Sequence, residues 1–316
     1  MPANSSQDVG RAIDKLKMLR GGELAVLDVI ACGKPAIPAL RALLLEPEPS
    51  GLFEVRCRAV EALAALGAFD VLIEFLSANR VAADPIERLG DDAVLNAAAL
   101  ALVKSGDPRA FKLLLDVAKR ACLIGAVGAL GRFRRIEAIP FLVAALEDDG
   151  SRSTAEAALR RLGASCRAAL LDTARSYLPS LERESESSVR RRRSALKLLA
   201  EIGIPQKTWP ALRHLMRDHD ATISVLACKA CLAFAPPSER HSAIHRLIEL
   251  LADTEWMLRG EIADCLVVHF SAAREIIASH IQRSVLIVGD ISVTSQTECV
   301  LRQIQGRVRR QSWHEV

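Results

Sequence analysis

The residues best suited to chemistry lie close together: Cys228 and Cys231 are followed by His241 and His245, a C-x2-C-x9-H-x3-H spacing. Two thiolates and two imidazoles converging tetrahedrally would hold zinc. Three features of the sequence oppose that chemistry. The linking gap is nine residues, where a zinc finger uses about twelve. No β-hairpin is readable around the cysteines, and Cys228 and Cys231 fall at positions that core Ala and Leu hold elsewhere in the chain. His245 stands where a proline opens other helices. The expectation is two small packed residues and no metal.

Arg190, Arg191, Arg192 and Arg193 form the densest charge run. On a helix successive residues turn by about 100°, so four arginines wrap most of the circumference and do not build one anion site. Glu186 lies four residues before Arg190, an i,i+4 pair. A solvated, self-paired helix start is expected, with a dedicated anion site at Arg190 and Arg191 as the alternative.

Catalytic motifs are scarce. The chain has no GxSxG, no GxxxxGK[ST] and no HExxH. Gly125, Gly128 and Gly131 form a ladder inside an apolar helix, and with no strand before it this fits close helix packing better than phosphate binding.

The elements that must carry these residues are legible as a repeat. A phrase of small residue, apolar residue, often Pro, then Leu-rich helix recurs from Ala36, Ala138 and Thr208, and in degenerate form from Ala243; Ala68 and Ala110 open versions without the proline. Before each copy stands another helical phrase that usually ends near a glycine, at Gly67, Gly106, Gly163 and Gly203. Arg134 replaces that glycine once. Apolar residues in both phrases recur at i, i+3, i+4 and i+7. Gly ends the first helix in a left-handed conformation, and Pro in the next first turn needs no intrahelical donor.

These residues carry a resemblance. Val55, Arg56, Ala62, Leu63, Leu66 and Gly67, with Gly106, Asp107, Pro108 and Ala110, resemble the HEAT repeat, most closely the short bacterial form named after phycobilisome lyases. The resemblance covers roughly residues 22–283 and rests on packing, turn and cap positions, which are specific for architecture and silent on chemistry. It implies an all-α fold, a right-handed α-solenoid or HEAT-like superhelix of about eight helix pairs: 22–45, 52–77, 91–119, 121–147, 151–177, 187–217, 220–252 and 254–283. Residues 1–21 would supply an N-terminal capping helix, and 284–316 a C-terminal capping helix and tail. Ser292 is the expected N-cap of that last helix, with Val293, Thr297, Val300, Leu301 and Ile304 on its core stripe and the final RRQSWHEV as a mobile tail. The rhythm breaks at 77–91 and 177–188; the second is polar and mixed in charge, and a tolerated surface insertion is expected there, with a mobile hinge or modification site as the alternative.

Enzymes similar to this repeat set a further test. Deoxyhypusine hydroxylases carry several His-Glu pairs for a di-iron site, whereas the single His-Glu here is His314–Glu315. HEAT-like alkylpurine DNA glycosylases use a basic groove with Trp and an acidic residue; Trp209 falls in a core slot and Trp256 beside Glu255 at a helix start, so the sequence demonstrates no such constellation and leaves DNA binding open.

Composition agrees with packed helices. Of 316 residues 50% are hydrophobic but only 4% aromatic, so the core is Ala, Leu, Val and Ile. Charged residues at 25% exclude a largely disordered chain. No apolar stretch approaches the roughly 18 residues of a membrane span, and the start lacks a secretory h-region. The eight cysteines fall mostly in apolar helical stretches and read as reduced. A cytoplasmic protein without cofactor, metal or membrane is expected.

Residues 1–150 hold 18 Lys and Arg against 20 Asp and Glu, leaving 24 against 18 for 151–316. The resemblance implies that second helices line a concave face, where Arg41, Arg213, Arg217 and Arg246 would meet an acidic partner. The leading expectation is a non-catalytic scaffold binding a protein partner. A nucleic-acid-binding protein of repair or glycosylase type, using the basic C-terminal half, is the rival, and an accessory subunit of a lyase-type cofactor-attachment complex is the third.

Overall fold

A computed structural model describes residues 5–18, 21–46, 53–78, 84–120, 123–177, 179–180, 183–287 and 296–313. The chain divides into two compact units, Met1–Cys166 and Arg167–Val316.

In the first unit α1 (Ser5–Leu16) lies against α2 (Gly22–Ala31), and the chain continues through α3 (Ile37–Leu45), α4 (Phe53–Ala65), α5 (Phe69–Ser77), α6 (Pro85–Leu102), α7 (Pro108–Arg120), α8 (Ile124–Phe133) and α9 (Ile139–Ala144), with α4 packed on α5 and α8 on α9. α10 (Arg152–Leu162) ends the series. The first helices α2, α4, α6, α8 and α10 pack side by side in that order, while α3, α5, α7 and α9 touch one another more lightly. Small residues permit the tight layer. A Cβ at Gly125 would overlap the backbone of Asn96, and one at Gly131 would overlap Ala158. The Gly125 N–H also donates to Asn96 Oδ1 at 2.7 Å.

The turn chemistry follows the sequence. Gly67, Gly106, Gly163 and Gly203 all have positive φ, and Arg134 shares it at φ 53°, in the left-handed helical conformation that Gly106 also takes. An L-residue there costs about 1–2 kcal/mol, so Arg134 marks a turn that the fold imposes on a residue ill suited to it. α6 begins at Pro85, earlier than the expected 91. Asp84 caps it, its Oδ1 accepting from the N–H groups of Ile86 at 2.7 Å and Glu87 at 3.0 Å. Pro85 then sits in the first turn, where no donor is needed.

The second unit holds α11 (Arg167–Arg175), α12 (Glu186–Ile202), α13 (Ala221–Phe234), α14 (Pro237–Asp253), α15 (Trp256–Val268), α16 (Phe270–Ile287) and α17 (Gln296–Trp313). Between α11 and α12 lies a short antiparallel ribbon of β1 (Pro179–Ser180) and β2 (Arg183–Glu184). The interruption expected over 177–188 is therefore partly ordered, and Ser185 caps α12 by accepting from Ser188 N–H at 3.2 Å.

Two further differences have local causes. The phrase from Thr208 forms not an α-helix but two 3-10 helices, Gln206–Ala211 and Arg213–Arg217. Pro210 removes an α-type donor, and the remaining bonds skip three residues, with Thr208 N–H to Pro205 O and Leu212 N–H to Trp209 O both at 2.8 Å. At the end of the chain, α17 runs through Trp313, so residues 309–313 of the expected tail are helical. No proline interrupts it, and Arg307 anchors it to Asp264 of α15 at 2.8 Å. Thr297, Leu301 and Ile304 are buried as the stripe required; Ser292 and Val293 lie outside the described residues.

Arginine is the fold's recurrent tie. Arg58 donates to the Leu16 and Met18 carbonyls at 3.0 and 2.9 Å, Arg120 to Leu76 O at 3.0 Å, and Arg192 to Ala174 O at 3.0 Å. Arg167 reaches Gly203 O at 2.9 Å and Arg246 reaches Met216 O at 3.1 Å. Each carbonyl stands at or just past a helix end, where the last four lack intrahelical partners and the helix dipole is negative. Much of the chain's arginine thus closes helices.

Candidate functional site

The arginine run separates by direction, as its helical spacing requires. Arg190 pairs with Glu186 at 3.6 Å, and Arg191 donates to Ser176 O at 3.3 Å. Arg192 turns inward to Glu184 and Asp218, with a side chain only 4% exposed. Arg193 meets Asp220. Arg56, the counterpart of Arg192 in the repeat, is equally internal: it pairs with Asp91 and lies 5.5 Å from the centre of the Phe75 ring. These are structural cations.

Arg41 and Arg213 share another arrangement. Arg41, on α3, forms a two-pronged pair with Glu74 of α5, its Nε donating at 3.0 Å. The bond from Glu74 holds the Arg41 guanidinium above its ordinary pKa. Arg213 pairs with Glu239 of α14. Both therefore tie neighbouring second-helix segments, and both remain exposed at the surface. Their positive charge is already opposed by a carboxylate.

Arg217 and Arg246 differ. Ser242, His245, Arg246 and Glu249 are spaced i, i+3, i+4 and i+7 along α14, so they form one stripe, and the buried Ala243, Ile244, Leu247, Ile248 and Leu251 anchor the other side of the helix. That stripe faces Met216 and Arg217, and the six residues line a depression of about 180 Å³. Arg246 is held there by its Nε bond to Met216 O and by Nη1 to Glu249 at 3.1 Å. Among the described residues no ion pair is seen for Arg217.

The cysteine–histidine constellation does not assemble. Cys228 and Cys231 are buried in the core, whereas His241 and His245 are exposed. Burial drives the Cys228 thiol far above its ordinary pKa and pushes Cys231 up to about 12. No group of three or more His, Cys, Asp or Glu among the described residues is arranged to hold a metal ion. Trp209 is fully buried, while Trp256 is 78% exposed at the start of α15. His314 and Glu315 lie outside the described residues. No described helix is long and apolar enough to cross a membrane.

The fold is all-α, and one segment of it matches a HEAT-like repeat. Residues 124–148, which form α8, α9 and the short 3-10 turns beside α9, match the model of the PBS lyase HEAT-like repeat. A search of the curated proteins finds no match.

The stripe along α14 was within reach of the sequence, since its helix period is plain. The facing position of Arg217 was not, because it depends on how a 3-10 segment is set against α14. Nor did the sequence indicate that Arg41 and Arg213 are neutralised by Glu74 and Glu239, which lie 33 and 26 residues away.

Proposed function

We propose that the protein is a non-catalytic HEAT-like scaffold that binds an acidic protein partner through the second-helix layer of its C-terminal unit. The observation that carries this reading is the pairing of Arg217 with Arg246 on one depression, in the half of the chain with 24 basic against 18 acidic residues. Arg213, although paired with Glu239, lies on the same 3-10 segment as Arg217 and adds to the local positive potential. Arg41, Arg190 and Arg191 serve the fold first and would contribute only through the longer-range field, which falls off over about 8 Å at physiological ionic strength.

The reading is tested by capturing the tagged protein's partners from native lysate with and without nuclease, at 50 and 200 mM salt. A stoichiometric protein that survives nuclease supports it. The second reading, nucleic-acid binding, draws on the same charge excess and on exposed Trp256, which could stack a base. It requires bound nucleic acid and an affinity falling on the order of a thousandfold between those salt concentrations for six or more phosphate contacts.

A further inference from the structure

The depression on α14 has the size, rigidity and charge of a site for one small anionic group, and we propose that it is a socket for a single carboxylate, the side chain of an Asp or Glu in an acidic protein segment. This deepens the scaffold reading and rests on it.

Size comes first. At about 180 Å³ the depression is smaller than the roughly 300–1,000 Å³ of cofactor and drug-sized sites. It has room for about six waters at some 30 Å³ each. One polar group with part of its hydration fills it, whereas a nucleotide or tetrapyrrole would extend well beyond it.

Rigidity comes from the fold. Arg246 does not swing freely, because its Nε is engaged by Met216 O and its Nη1 by Glu249. Met216 is itself packed, only 7% exposed. Nη2 is the guanidinium nitrogen with no bond among the described residues, and it is left for a ligand. Two of the three guanidinium nitrogens are thus set before any ligand arrives, which lowers the ordering cost of binding. Ser242 and His245, one turn back on the same stripe, add a hydroxyl and an imidazole, and Arg217 faces them from the 3-10 segment.

Charge selects the ligand. Arg217 and Arg246 contribute two positive charges and Glu249 one negative, so these three leave one net positive charge on the lining. A carboxylate balances it. A phosphomonoester, at about −1.5 to −2 near neutral pH, would place excess negative charge beside Glu249. Charge-assisted bonds from a half-buried arginine are the stronger kind.

The test uses the full-length protein and a fluorescent peptide of six glutamates, with a six-glutamine peptide and inorganic phosphate as comparison ligands. Binding is read by anisotropy and by the side-chain Nε–H signals of the arginines in nitrogen–proton NMR spectra. The proposal expects saturable binding of the glutamate peptide alone, with the Arg246 and Arg217 signals moving most. Arg217→Gln should weaken it by about tenfold or more, the loss of one charge-assisted bond of roughly 1.5–3 kcal/mol. Arg11→Gln in the N-terminal unit should leave it unchanged. Equal weakening by Arg217→Gln and Arg11→Gln would overturn the socket while leaving an acidic partner in place. Phosphate displacing the peptide at concentrations where acetate does not would overturn the choice of carboxylate. Failure of the glutamate peptide to bind better than the glutamine peptide would overturn both the socket and the acidic-partner reading.

Discussion

Arg192 and Asp218 form an ion pair whose side chains are only 4% and 12% exposed, joining α12 to the end of the second 3-10 helix. Glu184 of the β-ribbon completes the site at 2.6 Å, and Ala174 O takes the guanidinium Nε. One side chain therefore gathers α11, the ribbon, α12 and the segment before α13. Removing it would leave two largely buried carboxylates, 10% and 12% exposed, without their cation, the costly half of such a pair. Arg192→Ala should lower unfolding stability by about 3–5 kcal/mol, read as a shift of the urea midpoint followed by circular dichroism.

Two glycines should respond in opposite directions to the same substitution. Gly125→Ala forces a methyl into the backbone of Asn96 and should cost about 1–3 kcal/mol. Gly260, on the exposed side of α15, has no neighbour within 4 Å of an added Cβ. Gly260→Ala should stabilise by about 0.5–1 kcal/mol, because alanine loses less backbone entropy in a helix. Thermal unfolding of both variants separates packing from propensity.

Arg134 offers a rarer gain. It holds the left-handed conformation that Gly106 takes at the corresponding turn, and relief of about 1–2 kcal/mol of strain is partly offset by the greater freedom of glycine in the unfolded chain. Arg134→Gly should raise stability by up to about 1 kcal/mol. An unchanged or lower midpoint in denaturant would show that the arginine is held by contacts worth more than the strain.

The thiols should sort by burial. Cys299 is exposed and Cys32 half-buried, whereas Cys228, Cys231 and Cys265 are buried. Burial raises the pKa of all three, Cys231 to about 12 from an ordinary 9.0. Iodoacetamide at pH 8 should modify Cys299 first, then Cys32, and leave these three, together with buried Cys166, unmodified until unfolding. The linkage has a definite sign. A thiol whose pKa is higher in the folded than in the unfolded protein stabilises the fold fully below pH 9.0, and that contribution is lost as pH rises through the folded value. Stability should therefore decline above pH 9, and a Cys231→Ala variant should decline less steeply.

Much of this architecture was legible beforehand because its determinants are local. Glycine and proline punctuate helices by their own backbone limits, so the junctions at Gly67, Gly106, Gly163 and Gly203 could be placed from the chain alone. The two 3-10 helices were missed because a Leu-rich phrase outweighed Pro210. The early start of α6 was missed because Asp84 and Pro85 read as a loop when they are a cap followed by a first-turn proline. The candidate site was half legible. Arg217 and Arg246 could be nominated by charge and period, but their meeting at one depression, and the pairing of Arg41 and Arg213 with distant glutamates, depend on the register between helices.

The central claim is that an acidic protein binds the C-terminal unit at Arg217 and Arg246. The most direct measurement is parallel capture from native lysate with the wild-type chain and Arg217→Glu, after nuclease, with circular dichroism confirming equal helicity. Arg217 is the right target because it is exposed and makes no ion pair among the described residues, so its reversal perturbs binding without releasing a helix end. The account predicts a stoichiometric protein partner with the wild-type chain and a loss of about tenfold or more with the variant. Equal recovery by both chains, or recovery that vanishes with nuclease, would contradict it.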